Sequence, residues 1–343
     1  MKNTLFGLDI GATSIKAVWL SEDKDGYILN SAAIINTPPK GMFSDNPIDQ
    51  MEIAQSIKKL VFDAKINTPN VAISLPESQV YTKVIEMPVL SDKELASAIN
   101  WEAEQYIPVP LESVTIDTVI LNRPKNWQEG TLMQVLLVGA PNFLVDKYYN
   151  IINLAGLIPV AMDTEILSVV RAIVIGDKFA NCIILHIGAV STAFAIIRNG
   201  IIFFTFNMPT GGIAINMAIA TDYGFTLSQA EEYKKTYGVS QKSFGGKIGQ
   251  TTAPILMSII LEIKKSISFY SEKYKDSPVQ EIILSGGTAR LPGIDVFFAQ
   301  NSGLETVIAN PWAILNSQEV PQQIIENATD YSVAVGLAMR HYE

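Results

Sequence analysis

Two stretches of this chain repeat one another about half a chain apart. Residues 5–20, LFGLDIGATSIKAVWL, return in altered form as IILHIGAVSTAFAII at 183–197. Leu8-Asp9-Ile10-Gly11-Ala12 aligns with Leu185-His186-Ile187-Gly188-Ala189 without a gap. A single self-match at that separation predicts a duplicated unit, since a repeat array would recur every ~20–50 residues. Each copy reads as strand, turn of small residues, strand, with apolar β-branched runs on either side of a Gly-containing reversal. Such a turn offers backbone N–H groups and hydroxyls to phosphate oxygens, and Asp9 just before it suits a hydrated Mg2+. Two such hairpins facing each other would clamp one nucleotide between two lobes. The second copy has His186 where the first has Asp9.

At 343 residues the chain exceeds the ~250–300 residues over which a single core grows, so two or more lobes are expected. Hydrophobic residues make up 48% and charged residues 17%, enough apolar material for sizeable cores. The net charge of −9, with no cluster of Lys and Arg, excludes nucleic acid as a partner. Cys182 stands alone and fits a reducing compartment, as a small apolar residue on a core strand. With His186 and His341 far apart, it forms no metal-ligand cluster. The N-terminus MKNTLFGLDIG has no apolar signal segment, and the C-terminus AVGLAMRHYE has no basic amphipathic tail, so the expected location is cytoplasmic. The one membrane candidate, 182–206, contains His186, Arg198 and an Asn199-Gly200 turn, and reads as a β-hairpin.

Periodicity and punctuation predict strands at 5–10, 14–20 and 27–35, with Asp25-Gly26 at a turn, then a helix over 48–64. Strands follow at 71–75 and 79–87. Ser91 and Glu94 form a capping box for a helix ended by Pro108 and Pro110. Strands at 114–121 and 132–139, a helix at 141–156, a strand at 158–162 and a helix at 164–176 close the first half. The second half opens with strands 181–187, 191–197 and 201–206. Helices from Gly211-Gly212, over 227–237 and over 252–274 follow, with a loop at 238–250. A strand at 281–285, a helix near Pro292 and a helix at 329–340 end the chain. Strands alternate with helices and a meander opens each half, which is an α/β pattern of two similar lobes.

Five segments share a further likeness. GLDIGATSIKAV (7–18) and LHIGAVSTAFAI (185–196) resemble the two phosphate loops of the actin/Hsp70/sugar-kinase superfamily. Asp163-Thr164-Glu165 resembles the head of its connecting helix, AEEYKKTYG (230–238) its adenosine helix, and LSGGTARLPGI (284–294) its adenosine loop. WEAEQYIPVPLESV (101–114) narrows the likeness: from Leu5 to Arg340 the chain resembles the PilM family, actin-like proteins of type IV pilus assembly related to the division protein FtsA.

That resemblance implies an actin-like ATPase fold, two duplicated lobes around a nucleotide cleft, with an inserted small α+β subdomain of the SHS2/1C type. The implied division is 1–81 and 158–180 for the first lobe, 82–157 for the insertion, 181–328 for the second lobe, and 329–343 as a return to the first. ATP or ADP with Mg2+ is the implied cofactor. Asp9 would hold Mg2+ through water, and Gly11, Ala12, Thr13 and Ser14 would meet the phosphates, as would Gly188 and Ala189 from the other lobe. Lys16 either reaches a phosphate or is a solvated strand lysine. Gly211 and Gly212 would start a helix whose amides approach the nucleotide. Glu231 and Lys234 would bracket the adenosine, or form an ordinary surface ion pair. Gly286, Gly287 and Thr288 would pass beside sugar and base, and Glu165 would face the terminal phosphate in a catalytic role with Asp9.

The implied partner is the cytoplasmic N-terminal peptide of a PilN-like single-pass membrane protein, bound beside the insertion, with platform proteins and the motor ATPase further along. Membrane contact would run only through partners, at the inner face of the cytoplasmic membrane. Trp101, Tyr106, Ile107 and Val109 either line that groove or pack the subdomain's core, and self-association stays an open alternative. Imidazole is a poor Mg2+ ligand, so His186 implies that ATP is bound better than it is hydrolysed. A sugar kinase lacks its second carboxylate base here. An FtsA-like polymer of cell division is the nearest alternative to the scaffold reading.

Overall fold

The computed structural model describes residues 4–24, 26–175, 179, 181–240, 246–316 and 320–341. The first copy of the repeat begins a meander of β1 (Phe6–Ile10), β2 (Ser14–Asp23) and β3 (Gly26–Asn36). β1 is buried at every position and pairs antiparallel with β2, setting Asp9 opposite Lys16. Helix α1 (Pro47–Asp63) starts at Asn46, whose side chain accepts from the Ile48 N–H, with Pro47 in the first turn. Its stripe of Ile53, Ile57 and Leu60 is buried in the first lobe's core. β4 (Asn70–Leu75) then lies parallel to β1.

The chain next leaves the first lobe. β5 (Tyr81–Pro88), α2 (Asp92–Ala103), β6 (Val114–Asn122) and β7 (Leu132–Pro141) make a three-stranded sheet in the order β5-β7-β6, with one helix. The capping box at Ser91 and Glu94 opens α2, which buries Leu95, Ile99 and Ala103 against Met133, Val135 and Leu137 in a core of its own. α3 (Asn142–Leu154) and β8 (Ile158–Thr164) return to the first lobe, whose sheet runs β3-β2-β1-β4-β8. α4 (Glu165–Ile173) leads out of it.

The second lobe repeats the plan. β9 (Cys182–Ile187), β10 (Thr192–Arg198) and β11 (Ile201–Met208) form the meander, followed by α5 (Gly212–Tyr223), α6 (Leu227–Tyr237) and α7 (Lys247–Lys273). β12 (Glu281–Ser285), α8 (Ile294–Ser302) and β13 (Glu305–Ile308) complete the sheet, β11-β10-β9-β12-β13. After α9 (Gln322–Glu326), α10 (Ser332–Ala338) packs among α4, β1 and both lobes' shared core. Asn199 (φ 50°) and Gly200 (φ 76°) turn the second hairpin in left-handed backbone, as the Asn-Gly signal requires. Among the described residues no helix is long and apolar enough to cross a membrane.

The structure adds two elements the sequence expectation lacks, β13 and the five-residue helix α9, and begins a third earlier. β13 has only four residues, parallel to β12, too few to carry an alternation signal. α7 begins at Lys247 rather than 252, because buried Ile248 extends the stripe of Thr252, Leu256, Ile259 and Ile263 by one turn. Pro254 therefore sits inside the helix and forfeits one backbone bond there. Residues 241–245 of the expected loop, Gly176 of the expected helix and Asp25 of the second turn of the meander lie outside the described residues.

Candidate functional site

β1 and β9 occupy equivalent places in the two sheets, and the turns that follow them face one another. Both turns close in the same way: Gly11 N–H donates to the Ser14 carbonyl at 3.1 Å, and Gly188 N–H to the Ser191 carbonyl at 2.9 Å. Between them lies a cleft of about 550 Å3. It is lined by Asp9, Gly11, Ala12, Thr13, Ser14 and Lys16 of the first turn and by His186, Gly188 and Ala189 of the second. Glu165, Gly212, Glu231, Lys234, Gly286, Gly287 and Thr288 complete the predicted set.

Lys16 is not a solvated lysine. Its Nζ lies 3.0 Å from Asp9 Oδ2, and Ser74 Oγ donates to Asp9 Oδ1 at 3.4 Å. Burial pulls the Lys16 pKa down, but the charge and hydrogen bond of Asp9 outweigh it and hold the ammonium protonated. Glu165 is pushed up to about 8 by burial, with Asp9 and Glu77 adding like-charge repulsion. Burial lowers His186 to about 4, against the opposing pull of Asp9, so its imidazole is neutral; Nδ1 lies 3.2 Å from Ser285 Oγ. At neutral pH the cleft floor thus holds one ion pair and two uncharged acids or bases.

On the other side Lys234 is buried, bonded to Glu231 at 2.6 Å and donating to the Gly212 carbonyl at 3.2 Å, so the pair is no surface bridge. Burial alone would raise Glu231, but Lys234, Lys235 and the Asn216 amide hold it down at about 2. Gly286 has φ +87°, and a Cβ there would fall 2.5 Å from the Ile187 carbonyl oxygen, so the loop reaches the cleft only as glycine.

Gly211 is placed differently from the expectation. It does not line the cleft; a Cβ on it would meet the Ala189 backbone at 2.7 Å. The close approach lets Gly212 N–H donate to the Gly188 carbonyl and Ile213 N–H to the Ala189 carbonyl, so α5's first amides hold the turn instead of standing free. Asp163 likewise faces away, clasped by Arg171 at 2.7 Å and Arg340 at 2.6 Å. Sequence reading missed Asn216, Lys235, Arg290 and Asp330 as lining residues. Arg290 follows the Gly286-Gly287 turn and pairs with Asp330 at 3.0 Å. Asp330 arrives from the far end of the chain without any local signal, and its buried Oδ1 has no hydrogen-bond partner.

A second cavity of about 550 Å3 opens between the edge strands β5 and β11, beside α7. Lys83, Glu86, Tyr106, Phe203, Phe204, Phe206, Lys265, Phe269 and Lys273 are among its walls. Lys273 crosses it to Glu86 at 2.7 Å. Of the four residues singled out for partner contact, Tyr106 reaches this cavity. Trp101 is 71% exposed on α2 and lies outside both cavities, whereas Ile107 is 4% exposed in the subdomain core and Val109 packs on that core.

The type IV pilus assembly protein PilM family matches residues 7–342. The chain belongs to that family. A chain of a PilM–PilN type IV pilus biogenesis complex is 27% identical, with all of both chains covered and a TM-score of 0.86. Cell division protein FtsA of Streptococcus pneumoniae serotype 2 (strain D39 / NCTC 7466) is 24% identical over 333 residues, which cover 84% of this chain and 71% of FtsA. MreB5 of Spiroplasma citri bound to AMPPNP is 14% identical, with 97% of this chain and 94% of that one covered and a TM-score of 0.55. The fold of this PilM-family chain is actin-like.

The oxygen-rich floor suits a hard cation: Asp9 gives a carboxylate, and Thr13 and Ser14 give hydroxyls. Among the described residues no cluster of three or more His, Cys, Asp or Glu forms a metal site by itself. The donors therefore fit an ion held through water and phosphate, not one caged by protein.

Proposed function

We propose that this PilM-family chain is a cytoplasmic scaffold of type IV pilus assembly that holds ATP or ADP with Mg2+ between its lobes. The observation that carries the reading is the facing pair of identically closed turns on one cleft with Lys16, Lys234 and the Gly286 loop. Asp9 would meet the ion through water, and Gly11 to Ser14, Lys16, Gly188 and Ala189 the phosphates. Gly212 together with Glu231, Lys234, Gly286, Gly287 and Thr288 would hold sugar and base. MreB5, of similar fold, was solved with AMPPNP, which supports a nucleotide here. Neutral His186 in place of the second acid supports slow hydrolysis, with Glu165 and Asp9 as the remaining acids.

The likeness to a chain solved with PilN supports a PilN-like cytoplasmic peptide as partner of the inserted subdomain built from β5, α2, β6 and β7. Through it the chain would sit at the inner face of the membrane, beside platform proteins and the motor. The purified protein, incubated with MgATP and freed of excess nucleotide, should retain intact ATP on chromatography. Retention of neither ATP nor ADP overturns the nucleotide reading, and turnover at about 1 s−1 or faster overturns slow hydrolysis. Titration calorimetry with the synthetic N-terminal segment of the PilN-like partner should give one site; no heat and no retention overturns the partner reading.

A further inference from the structure

Glu77 is 2% exposed and begins the 3-10 turn Glu77–Gln79, the link that carries the chain from β4 out to β5. Its hydrogen bonds tie together three elements, α4, β5 and β11. Its N–H donates to Glu165 Oε2 in the cleft at 3.3 Å, and its own Oε2 accepts from the Ile166 N–H of α4 at 3.4 Å. Its Oε1 accepts from Thr82 Oγ1 on β5 at 2.6 Å. Its carbonyl accepts from Asn207 Nδ2 on β11, in the second lobe, at 2.9 Å. A buried carboxyl beside the Glu165 carboxyl is an expensive joint if adhesion is all it supplies, since an apolar residue would glue these elements as well.

β5 and β11 are the outer strands of their sheets, face each other across the second cavity, and share no backbone hydrogen bond among the described residues. Asn207 and Tyr81 sit at the near end of that gap, and the Lys273–Glu86 bridge spans it further along. The inserted subdomain therefore meets the second lobe without a continuous sheet, through packing of Leu136, Val84 and Val138 on the core both lobes share and through the polar ties of Glu77 to Asn207 and Glu86 to Lys273.

We propose that Glu77 is a positioning residue that couples the contents of the nucleotide cleft to the width of the gap between β5 and β11. The proposal rests on the nucleotide reading above, with a terminal phosphate seated against Glu165. A Glu165 carboxyl drawn toward a phosphate oxygen no longer accepts from the Glu77 N–H. A buried amide without an acceptor is unfavourable, so the turn follows the carboxyl and carries Thr82 and Asn207 with it. A bond network of this kind couples two sites only where its element has two arrangements, and the 3-10 turn is the candidate element.

The native cysteine is buried, so exposed cysteines introduced as Ala96→Cys on α2 and Glu272→Cys on α7 take spin labels selectively in the full chain. Pulsed electron resonance then reads the distance from subdomain to second lobe without nucleotide, with ADP, and with a non-hydrolysable ATP analogue. The expected result is a shift of ~2 Å or more in the mean distance with the ATP analogue but not with ADP. Asn207→Ala, at a residue that does not line the cleft, should keep the analogue's affinity within twofold and lose the shift. Glu77→Gln, which leaves one acceptor oxygen for the Ile166 N–H and the Thr82 hydroxyl together, should reduce it. An unchanged distance despite bound analogue, or a shift that survives Asn207→Ala, overturns the coupling. Absence of bound nucleotide by calorimetry overturns the nucleotide reading instead, and the coupling with it.

Discussion

Asp9 and Lys16 face each other across β1 and β2, and the equivalent pair across β9 and β10 is His186 and Ala193. The second hairpin thus carries neither the acid nor the base of the first. In the first lobe the Lys16 ammonium compensates a buried carboxylate at 3.0 Å. In the second, Ala193 is buried and offers no charge, so a neutral imidazole opposite it leaves nothing uncompensated. His186 is the residue its strand partner permits.

This relationship predicts a non-additive pair of variants. His186→Asp alone places an unpaired carboxylate near Asp9 and should cost roughly 3–5 kcal/mol of stability, the usual penalty for an uncompensated buried charge. His186→Asp combined with Ala193→Lys should recover at least half of that loss, as double-mutant coupling between contacting residues allows. Urea unfolding of the three proteins checks it; equal stability of single and double variants contradicts the pairing argument. If the double variant folds, single-turnover hydrolysis of MgATP should rise by about tenfold or more over wild type.

The Glu165 carboxyl, held at about 8, predicts an unusual pH dependence. The folded chain keeps a proton that the unfolded chain releases above its ordinary value of 4.5, so this contribution is full below about 4.5 and is lost as pH rises toward 8. Raised Glu77 acts in the same direction. His186 acts oppositely, its contribution being lost as pH falls from 6.5 toward 4, so the window from 6.5 to 8 isolates the acids. Nucleotide-free protein should lose stability across that window, and Glu165→Gln should flatten the slope. Denaturation midpoints at pH 6.5, 7.25 and 8 measure it.

The inserted subdomain separates packing from contact. Ile107→Ala should cost about 2–5 kcal/mol, because the side chain is buried with Met133 and Val135 and leaves a cavity. Trp101→Ala should change stability by less than ~0.5 kcal/mol, since its ring is 71% exposed. Guanidinium unfolding distinguishes them. A partner titration in which Trp101→Ala loses affinity while Ile107→Val does not would assign α2's outer face to the interface.

At the adenosine loop, Gly286→Ala should abolish retention of nucleotide. The added methyl meets the Ile187 carbonyl and the backbone sits at φ +87°, so the loop must leave the cleft. Gly303→Ala, also at positive φ but with open space around it, controls for backbone strain alone and should leave retention within about twofold.

The sequence by itself determined the duplicated plan, because each half states it in local terms. Small-residue turns between β-branched runs, an Asn-Gly hairpin, a capping box at Ser91 and an apolar stripe in α1 are read within a few residues, and these elements formed. It also brought most of the cleft into view, since the turn residues ride on those hairpins. The tertiary structure decided what depends on approach between distant segments. Asp330 reaches the cleft from the 3-10 turn that precedes α10, Gly211 spends its lack of a side chain on the Ala189 backbone, and Ile107 goes inward while Trp101 stays out. Protonation belongs to the same class: Glu165 and His186 are neutral because burial and neighbours from other strands outweigh their intrinsic acidity. Local chemistry fixes the elements, and only packing fixes which charges each element must live beside.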